Sequence, residues 1–261
     1  MKFANTIALA LSFTLSAAPV ALAEKAKPAA SVDTKNIDAG VTIDDALRAY
    51  PGLYDNLLAE GRREMGKWRS QADKDRKEMP DIFRDGRRYT FERTYSERSA
   101  IGRYVSVERA DYMDGLGAHP NRETDVILWD SDAKKRISIR PFFKETADDG
   151  PTMRTLAKAI RTALVAAKKA RDIPDADTDP GIANVKPKIL SIGAIALAPS
   201  TEKNKSSGLI SYFSPYAVGA YAEGDYVVFV PWTAFKDHLS PEGVALFGGE
   251  RPADDAKKDE P

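Results

Sequence analysis

The hydrophobic period of the chain changes to two near residue 88, and that change limits the folds open to it. Upstream, Tyr54, Leu58, Gly61, Met65, Trp68 and Ala72 recur at alternating steps of four and three, the spacing of one helical face. The opposite face carries Arg62, Arg63, Lys67, Arg69, Lys74, Arg76 and Lys77. Glu60, Glu64, Asp73, Asp75 and Glu78 are interleaved with these cations, which suits a solvated face better than a docking surface for an anionic envelope polymer. Thr42 followed by Asp45 reads as a capping-box-like start to a short helix through Ala46, Leu47 and Tyr50, and Pro51 opens a second one. Downstream, Tyr89, Phe91 and Tyr95 alternate with Thr90, Glu92 and Thr94, as a half-buried strand does. Residues 103–108 give another strand, with Val105 and Val107 on one face, and residues 126–129 and 136–139 flank a hairpin turn at 130–133.

Helical spacing returns at Pro151, where Met153, Leu156, Ala157, Ile160, Leu164 and Ala167 form a buried face. Residues 171–187 are a Pro- and Asp-rich loop of a length that is either functional or mobile. Strands follow at 189–197, 208–213 and 226–230, the last apolar at every position, as in a strand covered on both faces. Strands joined by short loops, with helices in separate blocks, predict an α+β fold. It consists of a mainly antiparallel sheet packed by two long amphipathic helices.

The first 23 residues read as a signal peptide: Lys2, an apolar stretch from Ile7 to Leu15, and a small-x-small site at Ala21-Leu22-Ala23. An uncleaved anchor is the rival, but the stretch is barely long enough to span and Pro19 sits near its end. No later segment is apolar enough to cross a bilayer, so a periplasmic or secreted chain starting at Glu24, with no membrane anchor after cleavage, is expected. Residues 24–40 read as a flexible tether, and the charged, Pro-bounded stretch 250–261 as a disordered tail. The full chain balances 39 Lys and Arg against 39 Asp and Glu. Without Lys2 it is about one charge negative, which gives nucleic acid no basic surface to meet. The chain has no cysteine, which excludes disulfides, thiolate nucleophiles, thiolate metal sites and a cysteine-borne lipid.

Only two histidines are present, His119 and His238, and none of the H-E-x-x-H, G-x-S-x-G or P-loop motifs occurs. His119 stands between Gly117-Ala118 and Pro120-Asn121, where the glycine allows a tight turn and Pro120 biases His119 toward extended backbone. The commoner use of such a histidine is a turn whose imidazole is satisfied locally. The functional use is a polar contact at a binding groove, and ligation of a metal with Asp114 or Asp125 is the least specific reading. Tyr216 and Tyr221, in a Gly- and aromatic-rich block, either pack over the sheet or present their rings to a sugar or a partner loop. Gly219 and Gly224 mark turns or a bulge. Asp114, Glu123, Asp125, Asp130 and Asp132 could supply the two carboxylates of a glycan hydrolase, but nothing singles out one acid and one base. The candidate binding residues are therefore His119, Asn121, Tyr216 and Tyr221. No catalytic set, metal site or cofactor is indicated.

Two blocks carry a family resemblance. One is Gly115-Leu116-Gly117-Ala118-His119-Pro120-Asn121; the other is the run from Leu209 to Trp232 containing Ser-Pro-Tyr-Ala-Val-Gly-Ala-Tyr. Together they resemble the exported C-terminal domain of RsiV-type anti-sigma factors, which is also an accessory domain in PdaC-type peptidoglycan deacetylases and is catalogued as a domain of unknown function. In that resemblance residues 41–117 look like the N-terminal portion and 118–249 the C-terminal portion. Where relatives have Asp-Leu-Phe, this chain has Pro141-Phe142-Phe143, and the loop after Arg171 is atypical. The resemblance implies an envelope-facing role, since RsiV-type domains sense lysozyme by binding it. Neither a cytosolic regulatory domain nor a deacetylase unit is expected beside it. The expected function is a non-catalytic periplasmic binding module that recognises a lysozyme-like protein or a peptidoglycan fragment. The alternatives are a carboxylate-dependent enzyme acting on envelope glycan and a ligand-free structural protein of the periplasm.

Overall fold

The computed structural model describes residues 27–259; the expected signal peptide, its expected cleavage point and the first residues of the expected tether lie outside the described residues. The architecture is α+β. Six strands form the larger sheet in chain order: β1 (Ala30–Asp33), β2 (Ile37–Ile43), β3 (Tyr89–Ile101), β4 (Tyr104–Asp114), β5 (Asn121–Asp130) and β6 (Lys135–Ile137). All neighbours are antiparallel except β2 and β3, which run parallel. A parallel pair needs a crossover. Here it is a 3-10 turn at Asp45–Ala49 followed by the 28-residue helix α1 (Pro51–Glu78).

Helix α1 lies across one face of this sheet. It buries Leu53, Leu57, Gly61, Met65 and Ala72 against Val41, Phe91, Tyr95, Val105, Val107, Ile127 and Trp129. Trp68 stacks on Phe91 with ring centroids 5.9 Å apart. The buried line therefore runs through Leu53 and Leu57, and the expected Tyr54, Leu58 and Trp68 flank it half-buried. The cap expected at Thr42 is supplied instead by Asp44, whose carboxylate accepts the Ala46 N–H at 3.0 Å, because Thr42 is still paired in β2.

The second half builds on the other face of the sheet. Helix α2 (Pro151–Ala170) starts at Pro151 and buries Met153, Leu156, Ala157, Ile160 and Leu164. It packs against a smaller antiparallel sheet in the order β7 (Ala194–Pro199), β8 (Ser206–Phe213), β9 (Tyr226–Pro231). Strand β7 begins at Ala194 because Ile189–Ser191 turn as a 3-10 helix. The strand covered on both faces is β8, every residue of which is buried, whereas Val227 and Phe229 of β9 stay half-buried. The two sheets meet along β7. The Ser99 hydroxyl donates to the Leu197 carbonyl at 2.7 Å, and the Leu197 N–H donates to the Ser106 hydroxyl at 3.0 Å. Two short helices complete the fold, α3 (Pro241–Leu246) and α4 (Ala253–Ala256). Among the described residues, no helix is long and apolar enough to cross a membrane.

Three sequence expectations about boundaries are corrected. The tether read over 24–40 contains β1 and most of β2: Ile37, Ala39, Val41 and Ile43 alternate inward, and Arg88 holds Asp33 and Asp38 at 2.5 and 2.8 Å. The lysines and proline around this stretch masked a period-two pattern that becomes a strand only beside β3. The tail read over 250–261 contains α4, and its Asp255 is buried in an ion pair with Arg98. The division at residue 117 falls inside the β4–β5 hairpin, whose strands pair from Tyr104–Asp130 to Met113–Asn121. The sheet continues without a break to β6.

Gly61 marks the closest approach of α1 to the sheet. A Cβ there would lie 2.6 Å from Val41 Cγ1, and Val41 is fully buried and stiff about χ1. Overpacking of this kind costs about 1–3 kcal/mol, against about 1 kcal/mol of helix propensity gained. Gly61→Ala is expected to lower the urea midpoint. An unchanged or raised midpoint would show that the helix can move away without cost.

Candidate functional site

Three of the four candidate binding residues converge. The turn between β4 and β5 is held by the Asp114 carboxylate, which accepts the Leu116 N–H at 2.8 Å while Leu116 takes φ 59°. This presents His119 at the surface. The loop from β8 to β9 arrives beside it because the Ser214 hydroxyl clips onto Thr124 of β5, accepting its N–H at 2.8 Å and donating to its carbonyl at 3.3 Å. His119 and Tyr221 then stand with ring centroids 4.3 Å apart, and Tyr216 and Tyr221 5.2 Å apart. The Tyr221 hydroxyl donates to the Pro120 carbonyl at 2.7 Å. His119 Nδ1 is 2.9 Å from that same carbonyl, so Nδ1 carries the proton there and Nε2, 3.4 Å away, is left to accept from the Tyr216 hydroxyl. Tyr216 is 58% exposed and adopts φ 70°, a left-handed backbone that turns its ring outward. Asn121 does not join the rings. It is exposed at the first position of β5, and its side chain makes no hydrogen bond among the described residues.

Beside Tyr216 lies a cleft of about 780 Å³ between the 171–187 loop and the β8–β9 loop, lined by Asp175, Thr178, Asp179, Asn184, Tyr216 and Glu223 among others. Its floor was not foreseen. Lys168 of α2 is fully buried, and its ammonium meets Asp179 at 2.6 Å and Glu223 at 2.5 Å. Asp179 also accepts the Gly181 N–H at 2.7 Å, and Glu223 accepts the Ala220 N–H and the Tyr226 hydroxyl, each at 2.7 Å. Burial pulls the Lys168 ammonium down, but hydrogen bonds to Asp179 and Glu223 outweigh it, so its pKa lies above that of an ordinary lysine. Burial pushes the Glu223 carboxyl up, and Lys168, Tyr226 and the Ala220 amide outweigh that, holding it below the usual range. One sequence signal did mark this residue: Lys168 continues the i+4 register of Ile160 and Leu164 on the buried face of α2. A second groove of about 440 Å³ lies on the far side of the 216–218 segment. It is flanked by Leu190, which is 95% exposed, and shares Asn184 with the first.

Four of the five carboxylates considered for glycan chemistry have other partners, and Asp132 is exposed on the β5–β6 turn. Glu123 and Asp125 face Arg109 at 3.4 and 3.3 Å. Asp130 accepts the N–H groups of Asp132 and Ala133, each at 3.0 Å, and so closes the β5–β6 turn. Asp114 caps its own turn, as described above. Among the described residues, no group of three or more His, Asp or Glu is arranged to hold a metal ion. Burial instead raises three acids outside this set, Glu97, Glu108 and Asp225.

Residues 142–233 match the family described as a protein of unknown function, DUF3298. The matched span holds α2, the smaller sheet, Lys168, Tyr216, Tyr221 and Glu223, but not the turn that carries His119. Two solved structures are similar. A DUF3298 family protein from Pseudomonas aeruginosa PAO1 is 14% identical, with a TM-score of 0.52, over 82% of this chain and 88% of that one. A member of the same family from Bacteroides fragilis NCTC 9343 is also 14% identical, with a TM-score of 0.49, over 81% of this chain and 89% of that one. At such identity the first likeness is one of fold alone. No curated protein sequence matches the chain.

Lys168 and Glu223 can be tested by stability. Lys168→Met leaves two carboxylates together without their cation, and removing one partner of a buried ion pair costs about 3–5 kcal/mol. A denaturant midpoint within error of the parent would mean that water already compensates the site. Glu223 titrates below its ordinary value of 4.5 in the folded state, so its contribution is present above that pH and is lost as pH falls through the folded pKa. The stability gap between the parent and Glu223→Gln is therefore expected to be widest above about pH 5 and to close under more acid conditions. A gap that does not vary with pH would refute the assignment.

Proposed function

We propose that this chain is a non-catalytic binding module of the cell envelope, exported by its leader to the periplasm or beyond. Its ligand-binding face is the ring cluster of His119, Tyr216 and Tyr221 with the adjoining cleft. The observation that carries this reading is the outward-facing Tyr216 ring, held beside Tyr221 of its own loop and His119 from a distant part of the chain. An exposed tyrosine offers apolar area and one hydroxyl, and its place in a cluster of tilted rings lowers the entropy lost on binding. Exposed anchors of this type dominate binding energy at interfaces. The proposed ligand is a lysozyme-like protein or a cell-wall glycan fragment. The resemblance to RsiV-type and PdaC-type domains supports both, and the hydroxyl, amide and carboxylate lining of the cleft suits a glycan. Asn121 is retained only as a rim contact.

The test is titration of the purified exported chain with a lysozyme and, separately, with soluble peptidoglycan fragments, at low and high salt. Saturable binding that survives high salt is expected for one of the two, because screening removes nonspecific attraction between charged surfaces. Tyr216→Ala is expected to weaken that binding about 30-fold, the effect of losing an anchor residue, with an unchanged melting temperature. Equal affinity in the variant would remove this face from the proposal, and absence of saturable binding to both ligands would discard the reading.

A further inference from the structure

The seam between the two sheets holds a second arrangement, built around Arg98. Strand β3 carries a bulge between Glu97 and Ser99, so Arg98 has no partner in β4. A bulge of this kind re-aims side chains. Arg98 and Ser99 both turn toward the smaller sheet, Ser99 to the Leu197 carbonyl and Arg98 Nε to the Tyr212 hydroxyl at 2.9 Å. The rest of the Arg98 guanidinium grips Asp255 with two parallel hydrogen bonds, 2.5 Å to Oδ1 and 3.0 Å to Oδ2. Arg251 Nε adds a third bond to Asp255 Oδ2 at 2.8 Å, and both arginines also reach Asp259, at 3.2 and 2.5 Å. Both guanidiniums are almost wholly buried.

A fork of this geometry is the standard way to recognise a carboxylate. What fills it is a short segment with little else to hold it. The amides of Asp255 and Ala256 bond only to Pro252, and among the described residues no backbone hydrogen bond joins residues 253–259 to either sheet. Lys257 and Lys258 face Asp254 and Asp255 of the same segment. The attachment is thus made by carboxylates entering a cationic niche.

We propose that Arg98, steadied by the Tyr212 hydroxyl, and Arg251 form a carboxylate-recognition niche that the chain occupies with its own Asp255, and that a carboxylate from outside the chain takes that place when the 253–259 segment lifts. The outside carboxylate belongs to a peptide terminus or to an acidic side chain, and both present the same two oxygens.

The experiment is chemical rescue. Asp255→Ala is titrated with acetate, with N-acetyl-alanine (an α-carboxylate) and with N-acetyl-aspartate amide (a side-chain carboxylate), against chloride at equal ionic strength. At tenfold excess over the dissociation constant, the melting temperature is expected to rise by about 3–6 °C. The rise should be absent from Asp255→Ala combined with Arg98→Met, and the stronger of the two amino-acid probes names the source. Asp255→Asn, which keeps the side-chain shape, gives the same readout if the alanine variant does not fold. In the parent chain, the same probe is expected to speed hydrogen exchange at the Asp255 and Ala256 amides. Rescue that survives loss of Arg98, or no carboxylate-specific rescue in either variant, overturns the niche. Rescue in the variant without faster exchange in the parent overturns the exchange of an outside carboxylate for Asp255.

Discussion

Lys168 is shut off from water, and its charge is met by Asp179 from one loop and Glu223 from another. A lone buried ammonium costs several kcal/mol, so both loops must close over it or the helix face that carries it cannot bury. That requirement sets the shape of the cleft. The 171–187 loop is long, yet its path is tied at Asp179 and by the bond from Asn184 Nδ2 to the Ala217 carbonyl at 3.0 Å. The β8–β9 loop is tied at Glu223, where Arg171 also donates to the backbone carbonyl at 2.9 Å and lies over the Tyr226 ring at 4.2 Å. With both loops fixed from below, Tyr216 can hold a left-handed backbone and an outward ring without support from solvent-side contacts.

Pairing between the two sheets follows a similar logic at a different place. Strand β7 is an edge strand, and an open edge leaves unpaired N–H and C=O groups. Ser99 and Ser106 are cross-strand neighbours in the larger sheet, and they meet both polar groups of Leu197 in place of a further strand. The bulge that points Ser99 at this edge also turns Arg98 inward. The C-terminal segment is therefore a consequence of how the sheets join, and not an appendage. On the opposite face the larger sheet is covered by α1, with Arg93 and Asp111 buried as a two-bond pair at 2.6 Å each.

Much of the framework was legible from local pattern. The helix opening at Pro151, the alternation from Tyr89 and the hairpin through Asp130 each declare themselves within a few residues, because apolar spacing and turn chemistry act locally. Strands β1 and β2 were missed because their flanks are rich in Lys, Pro and Asp and their order depends on pairing with β3, about fifty residues downstream. The tail was missed for the same reason: a polar, Pro-bounded segment looks disordered until Arg98 supplies its buried partner.

The candidate site divides in the same way. Residue type alone marked His119, Tyr216 and Tyr221, since an isolated histidine in a Gly-Pro turn and tyrosines in a Gly-rich block are suited to surfaces and turns. What the amino-acid sequence determined by itself was the inventory: an α+β set of elements, no thiol chemistry, and a short roster of rings and acids. Only the tertiary structure decided which of these meet. Convergence of His119 with Tyr216, of Lys168 with Glu223 and of Arg98 with Asp255 joins residues 97, 55 and 157 positions apart. Contacts of that range depend on sheet register, a bulge and the closing of loops over a buried charge, and none of these is encoded in the spacing of neighbouring residues.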